Sequence, residues 1–121
     1  MPLPFVFDES LLGLCDAVRR YSIRIGLPLD AVAGGDPPDH PYGTKDPDLL
    51  RWTEKEDRIL VCTDRQTMPL HLEAHFQSGH HTPGVILIGP NASLLPLIEY
   101  LVLVAYASDP QEWRDRIEYI R

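Results

Sequence analysis

Cysteine is scarce in this chain. Only Cys15 and Cys62 occur, far apart and outside any CxxC pair. That excludes a disulfide scaffold and suits a reducing cytosol. Cys62 sits inside an apolar run and reads as a small core hydrophobe. Long apolar runs are missing too. The longest block, Leu94 to Ala107, is interrupted by Pro96 and Glu99 and falls short of the roughly 20 residues that span a bilayer. The start, MPLPFVF, has neither a basic n-region nor a long apolar h-region. No signal peptide or membrane span is therefore expected, and the chain reads as soluble and cytoplasmic. Positive charge is in deficit, with 11 basic against 18 acidic residues and a net charge of −7. A broad basic face for nucleic acid is thereby excluded. A local cluster of carboxylates neutralised by a cation is not. There is no GxSxG, and Cys15 falls on a core-facing helical position, so neither Ser nor Cys is expected as a nucleophile. GxGxxG spacing and GK[ST] are absent, which removes the glycine-rich phosphate loops. Lys45, Arg51 and Arg65 could touch phosphate, and each reads equally well as a surface charge.

The 121 residues, 44% of them hydrophobic, fit one domain with a substantial core. Leu3 to Phe7 reads as a first strand, followed by Asp8 and Glu9. Ser10 is placed to cap a helix from Leu11 to about Tyr21, in which Leu11, Leu14, Cys15 and Val18 recur at helical spacing. A weaker second strand lies at Ile23 to Ile25 or Leu29 to Ala33. GGDPPDHPYGTK, Gly34 to Lys45, holds three prolines and three glycines and reads as a long loop, a feature often tied to function. Asp46 then suits an N-cap with Pro47 at the first helical position. The segment DPDLLRWTEKED turns Leu49, Leu50 and Trp52 inward. Arg58 to Cys62 is the strongest strand signal. A helix over Pro69 to Gln77, a strand over Val85 to Ile88 and an apolar helix over Leu94 to Ala107 capped by Ser93 follow. A short helix closes at Trp113, and Ile117 to Ile120 reads as an edge strand. Strands that are apolar throughout and alternate with helices imply a mainly parallel sheet covered on both faces, an α/β/α sandwich.

In such sheets ligands bind at the carboxyl ends of strands. Asp8 and Glu9 end the first strand, Asp64 ends the strongest one, and Asp46 and Asp48 open a helix. If the first strand and the Arg58 strand are neighbours, Asp8 and Asp64 meet, and Asp46 or Asp48 can join them. Several carboxylates at one point repel unless a cation joins them, and hard oxygen donors select Mg²⁺ or Mn²⁺. Such an ion polarises a phosphoryl oxygen and acidifies water, the two needs of phosphodiester hydrolysis. Asp and Ser at strand–helix junctions read equally as N-caps. A rival lies in His71 and His75, spaced i, i+4 on a helix and followed by His80 and His81. Two such histidines can hold Zn²⁺, although HExxH is absent. The few polar positions of Leu94 to Ala107 fit either a central buried helix or an interface for a second copy, as in a homodimer, or for a partner protein.

FVFDES, TKDPDLLRW, RILVCTDRQTMPLH and TPGVILI, in this order, resemble the PIN-like domains of bacterial toxin–antitoxin modules, relatives of the VapC toxins. The resemblance runs from about Phe5 to Ala107. It implies a three-layer α/β/α fold around a parallel sheet and a Mg²⁺- or Mn²⁺-dependent ribonuclease site of clustered acids. Matched residue by residue, it implies Asp8, Asp46 and Asp64 as the catalytic, metal-holding carboxylates. Glu9, Asp48, Thr63, Thr67 and Arg65 would support them. The implied partners are an RNA substrate and a cognate antitoxin that occludes the acidic pocket. Full PIN sites usually carry a fourth acid just after the third, whereas Arg65, Gln66 and Thr67 follow Asp64 here. Thr67 offers a hydroxyl in its place.

Overall fold

The computed structural model of the protein describes residues 2–34 and 46–121. All but the first residue of the proline- and glycine-rich loop expected over Gly34 to Lys45 lies outside the described residues. Among the described residues five strands form one sheet: β1 (Phe5–Phe7), β2 (Ala31–Ala33), β3 (Ile59–Cys62), β4 (Val85–Ile88) and β5 (Ile117–Ile120), in the order β2-β1-β3-β4-β5. Every pairing is parallel. Phe5, Val6 and Phe7 sit opposite Ala31, Val32 and Ala33 on one side and Ile59, Leu60 and Val61 on the other. The fully apolar central strands need cover on both faces, and among the described residues five helices supply it.

Side-chain alternation along the strands sorts the core into two layers. Phe5, Phe7, Ile59, Val61, Ile86 and Ile88 pack with α1 (Leu12–Arg24), α4 (Leu94–Ala107) and Trp113 of α5 (Pro110–Trp113). Val6, Leu60, Cys62, Val85 and Leu87 pack with α2 (Asp46–Glu56) and α3 (Met68–Gln77). The architecture is thus the α/β/α sandwich around a parallel sheet that the apolar runs imply. By direction and face, α1, α2 and α3 connect their strands with one hand. α4 advances the same way along the sheet as α3 but on the opposite face, so β4–α4–β5 has the other hand, an uncommon connection.

Several boundaries depart from the sequence expectation for local reasons. A 3₁₀ turn over Glu9–Leu11 precedes α1, and Ser10 does not cap the helix; its hydroxyl donates to Asp8 Oδ2 at 3.2 Å. α1 continues through Ile23, which is 68% exposed, and stops where Gly26 takes φ +78°. The second strand is therefore the later of the two candidates. Ser93 stands at the N-cap of α4 without a side-chain hydrogen bond. Asp46 is the first residue within α2. Arg58 ties the amino ends of the strands together, donating to Phe5 O at 3.1 Å and to Asp30 Oδ1 at 2.8 Å. No helix among the described residues is long and apolar enough to cross a membrane.

Candidate functional site

The strand order sets the carboxyl ends of β1 and β3 side by side. The chain leaves β1 toward the α1 face and β3 toward the α2–α3 face, so the two exits diverge, as at a topological switch point. Asp8 follows β1 directly, its N–H donating to Val61 O of β3 at 2.9 Å. Asp64 follows β3 by one residue. Its Oδ1 accepts from the Gln66 and Thr67 N–H groups at 3.1 and 2.9 Å, and its Oδ2 accepts from the Thr67 hydroxyl. These bonds favour the charged form and hold the Asp64 carboxyl below its usual range, the Thr67 hydroxyl contributing most. Asp64 therefore closes the β3–α3 turn and still presents a carboxylate.

Asp46 joins the two from the first turn of α2. Burial raises its pKa most, the His71 imidazole 3.8 Å away opposes this, and the charges of Asp64 and Asp8 raise it further. Cys62, at the end of β3, is fully buried. Burial, then Asp8 and Asp46, with a smaller push from Asp64, drive its thiol up to about 12, against a hydrogen bond from the Asp64 backbone. Asp46 thus feels Asp8 and Asp64, and Cys62 feels all three, although the three carboxylates do not all come within 4.8 Å of one another.

The expected supporting residues divide. Thr67 holds Asp64. Thr63 is exposed between Cys62 and Asp64. Glu9 packs against Gly34 after β2, where a Cβ on Gly34 would meet Glu9 Cβ at 3.0 Å. Asp48 faces solvent and pairs with Arg51 at 2.5 Å. Arg65 points away across the sheet, 5.9 Å from the Tyr119 ring centre and near Gly89. Lys45 lies outside the described residues.

The histidines separate in a way their spacing does not show. Met68, Leu72 and His75 form the buried stripe of α3, so His75 occupies a core position, only 4% of its side chain exposed. His71 stays beside Asp46, while His75 turns to Glu54 near the end of α2. His75 Nε2 lies 3.4 Å from Glu54 Oε1, and His80 Nδ1 lies 2.9 Å from the same oxygen. Among the described residues, Glu54, His75 and His80 are the one group of three His, Cys, Asp or Glu whose ligand atoms all lie within 4.8 Å of one another. Sequence reasoning missed Glu54 because nothing local marks it. It faces His80 across 26 residues of chain. The signal that was there is a polar residue in register with Met68 and Leu72.

No family model, no curated protein and no solved structure matches this chain.

Proposed function

We propose that the protein is a metal-dependent ribonuclease of PIN-like type, hydrolysing RNA phosphodiesters and serving as the toxin of a two-protein bacterial module. The observation that supports this reading is that Asp8 and Asp64 follow the adjacent parallel strands β1 and β3, with Asp46 opening α2 and raised by both charges. An acidic chain that gathers carboxylates at neighbouring strand ends needs a counter-ion there, and all-oxygen donors suit Mg²⁺ or Mn²⁺. When bound, such an ion polarises a phosphoryl oxygen and acidifies a water molecule. Asp64, fixed by Thr67 and the turn, stays ionised at neutral pH and orients the donor set. Asp46 supplies the charge most readily relieved by a cation, because burial and its two neighbours hold it up. A cognate antitoxin would act by covering these strand ends.

RNA cleavage in Mn²⁺ or Mg²⁺ tests the proposal. Asp8→Asn and Asp64→Asn should each lose at least about a hundredfold in rate, the order expected when a group that stabilises transition-state charge is removed. Equal cleavage by the native protein and both variants would overturn it. A second reading, a non-catalytic binding module, draws on α4, where Leu94, Leu95 and Leu103 remain more than half exposed. It predicts no Mn²⁺ binding at these acids, which calorimetric titration would reveal.

A further inference from the structure

A second cluster lies toward the other end of the α2–α3 layer, at Glu54, His75 and His80, and we propose that it is a Zn²⁺ site independent of the strand-end acids. α3 starts where β3 ends and runs back along the sheet, so His75, near its carboxyl end, is carried away from Asp64. Two imidazoles and a carboxylate are a nitrogen–oxygen donor set of borderline softness, suited to zinc and poorly suited to Mg²⁺.

One donor separation already matches a tetrahedral ion, and the others lie close enough to reach it by small side-chain shifts. With zinc–nitrogen and zinc–oxygen bonds of about 2.0–2.2 Å, neighbouring donor atoms of a tetrahedron stand roughly 3.3–3.6 Å apart. Glu54 Oε1 already lies 3.4 Å from His75 Nε2 and 2.9 Å from His80 Nδ1. The two rings stack at a centroid distance of 4.8 Å and 19° between planes, so both present their edges to one carboxylate oxygen. Hydrogen bonding alone accounts for the His80 contact. His75 Nε2, however, donates to His81 O at 2.9 Å, so its 3.4 Å approach to Glu54 Oε1 is left without a proton of its own. A cation accounts for both approaches at once.

The surroundings are built as a metal site's usually are. The other Glu54 oxygen accepts the His81 N–H at 3.0 Å, fixing the carboxylate from behind. His81 is held in turn by Asp115, whose carboxylate contacts His81 Nδ1 at 2.7 Å and accepts from Thr82 N at 2.9 Å. A cavity of about 140 Å³ bordered by His71, His75, His80 and Arg51 leaves room for water at the fourth position. Loading requires each ring to carry its proton on its other nitrogen, because His75 Nε2 and His80 Nδ1 must offer lone pairs to the ion instead of donating to His81 O and Glu54 Oε1. The ion would then pin the end of α2 to α3 and to the segment that leads into β4.

The test uses the full chain stripped with chelator and titrated with Zn²⁺ against a chromophoric competitor, with Co²⁺ as a spectroscopic stand-in. One Zn²⁺ per chain and the intense visible absorption of tetrahedral Co²⁺ are expected. His80→Ala and Glu54→Gln should weaken zinc binding by at least about a hundredfold, since losing a ligand should exceed the tenfold to hundredfold cost of losing its supporting partner. Both positions reach solvent, and far-ultraviolet circular dichroism checks that the variants fold. Asp8→Asn should bind zinc as the native chain does. Absence of stoichiometric zinc binding overturns the proposal, as does an octahedral Co²⁺ spectrum or unchanged affinity in both ligand variants. Zinc lost in Asp8→Asn but kept in Glu54→Gln would move the ion to the strand-end acids and also overturn it. The Co²⁺ spectrum of the native chain decides the matter without any variant.

Discussion

Gly84 and Gly79 make a paired test of how tightly the segment before β4 is built. Both have positive φ, +133° and +84°. A Cβ at Gly79 would meet nothing within 4 Å, whereas at Gly84 it would lie 2.9 Å from Trp113 Cε3, 3.0 Å from Trp113 O and 3.2 Å from Trp113 Cβ. Trp113 is 2% exposed, and its backbone oxygen accepts from Arg116 N at 3.0 Å, so neither ring nor backbone has room to withdraw. Gly79→Ala should therefore cost only left-handed backbone strain, about 1–2 kcal/mol. Gly84→Ala adds overpacking of about 1–3 kcal/mol to a backbone strain of about 1–3 kcal/mol, for a loss of roughly 2–6 kcal/mol. Against a domain stability of about 5–15 kcal/mol, that is a large share. With a urea slope near 1.5 kcal/mol per molar, a 4 kcal/mol loss moves the midpoint by roughly 2.7 M, and the Gly79 variant by about 0.7–1.3 M. Equilibrium urea unfolding read by tryptophan fluorescence measures both. Equal shifts for the two variants, or a Gly84→Ala midpoint within error of native, would refute the packing argument.

Two further perturbations address the ends of the sheet. Asp115 is desolvated, which raises its pKa, but hydrogen bonds from Thr82 N and His81 outweigh this and leave it lowered. Its contribution to stability is thus present above the ordinary carboxylate value of 3.8 and lost as pH falls below that toward the depressed folded value. Asp115→Asn, tolerated at φ +60°, should flatten that acid limb in a pH series of thermal melts; an unchanged limb would contradict the assignment. Arg58→Met keeps the buried stem and removes the bonds to Phe5 O and Asp30, at an expected cost of about 1–3 kcal/mol in urea unfolding. Should Asp30→Asn alone reproduce the whole loss, the Phe5 carbonyl bond contributes nothing.

The strands were legible because burial on both faces leaves an unbroken apolar signature: Phe5–Phe7, Ile59–Cys62 and Val85–Ile88 hold no polar residue. The position of Asp8 and Asp64 at neighbouring strand ends was legible because parallel strands deliver their carboxyl ends to one edge and β1 pairs with β3. α4 was not legible in the same way. Its apolar residues run nearly all round, so no stripe says which face of the sheet it covers, and it takes the face that gives the uncommon crossover hand. The meeting of Glu54, His75 and His80 escaped sequence reading for another reason. The i, i+4 spacing of His71 and His75 is local, but the rotation of α3 is set by Met68 and Leu72 packing on the sheet, and that rotation sends the two histidines to different carboxylates.

The sheet also partitions the two thiols. Cys15 lies in the layer under α1 and α4, and Cys62 in the layer under α2 and α3. Five parallel strands stand between the layers, so the pair cannot meet without unfolding, and each sulfur answers only to its own layer. Alkylation followed by mass spectrometry would time the opening of each layer separately, the Cys15 adduct marking one and the Cys62 adduct the other. Equal labelling times would mean that the layers open as one cooperative unit, whereas a faster clock on one side would identify that layer as the first to give way.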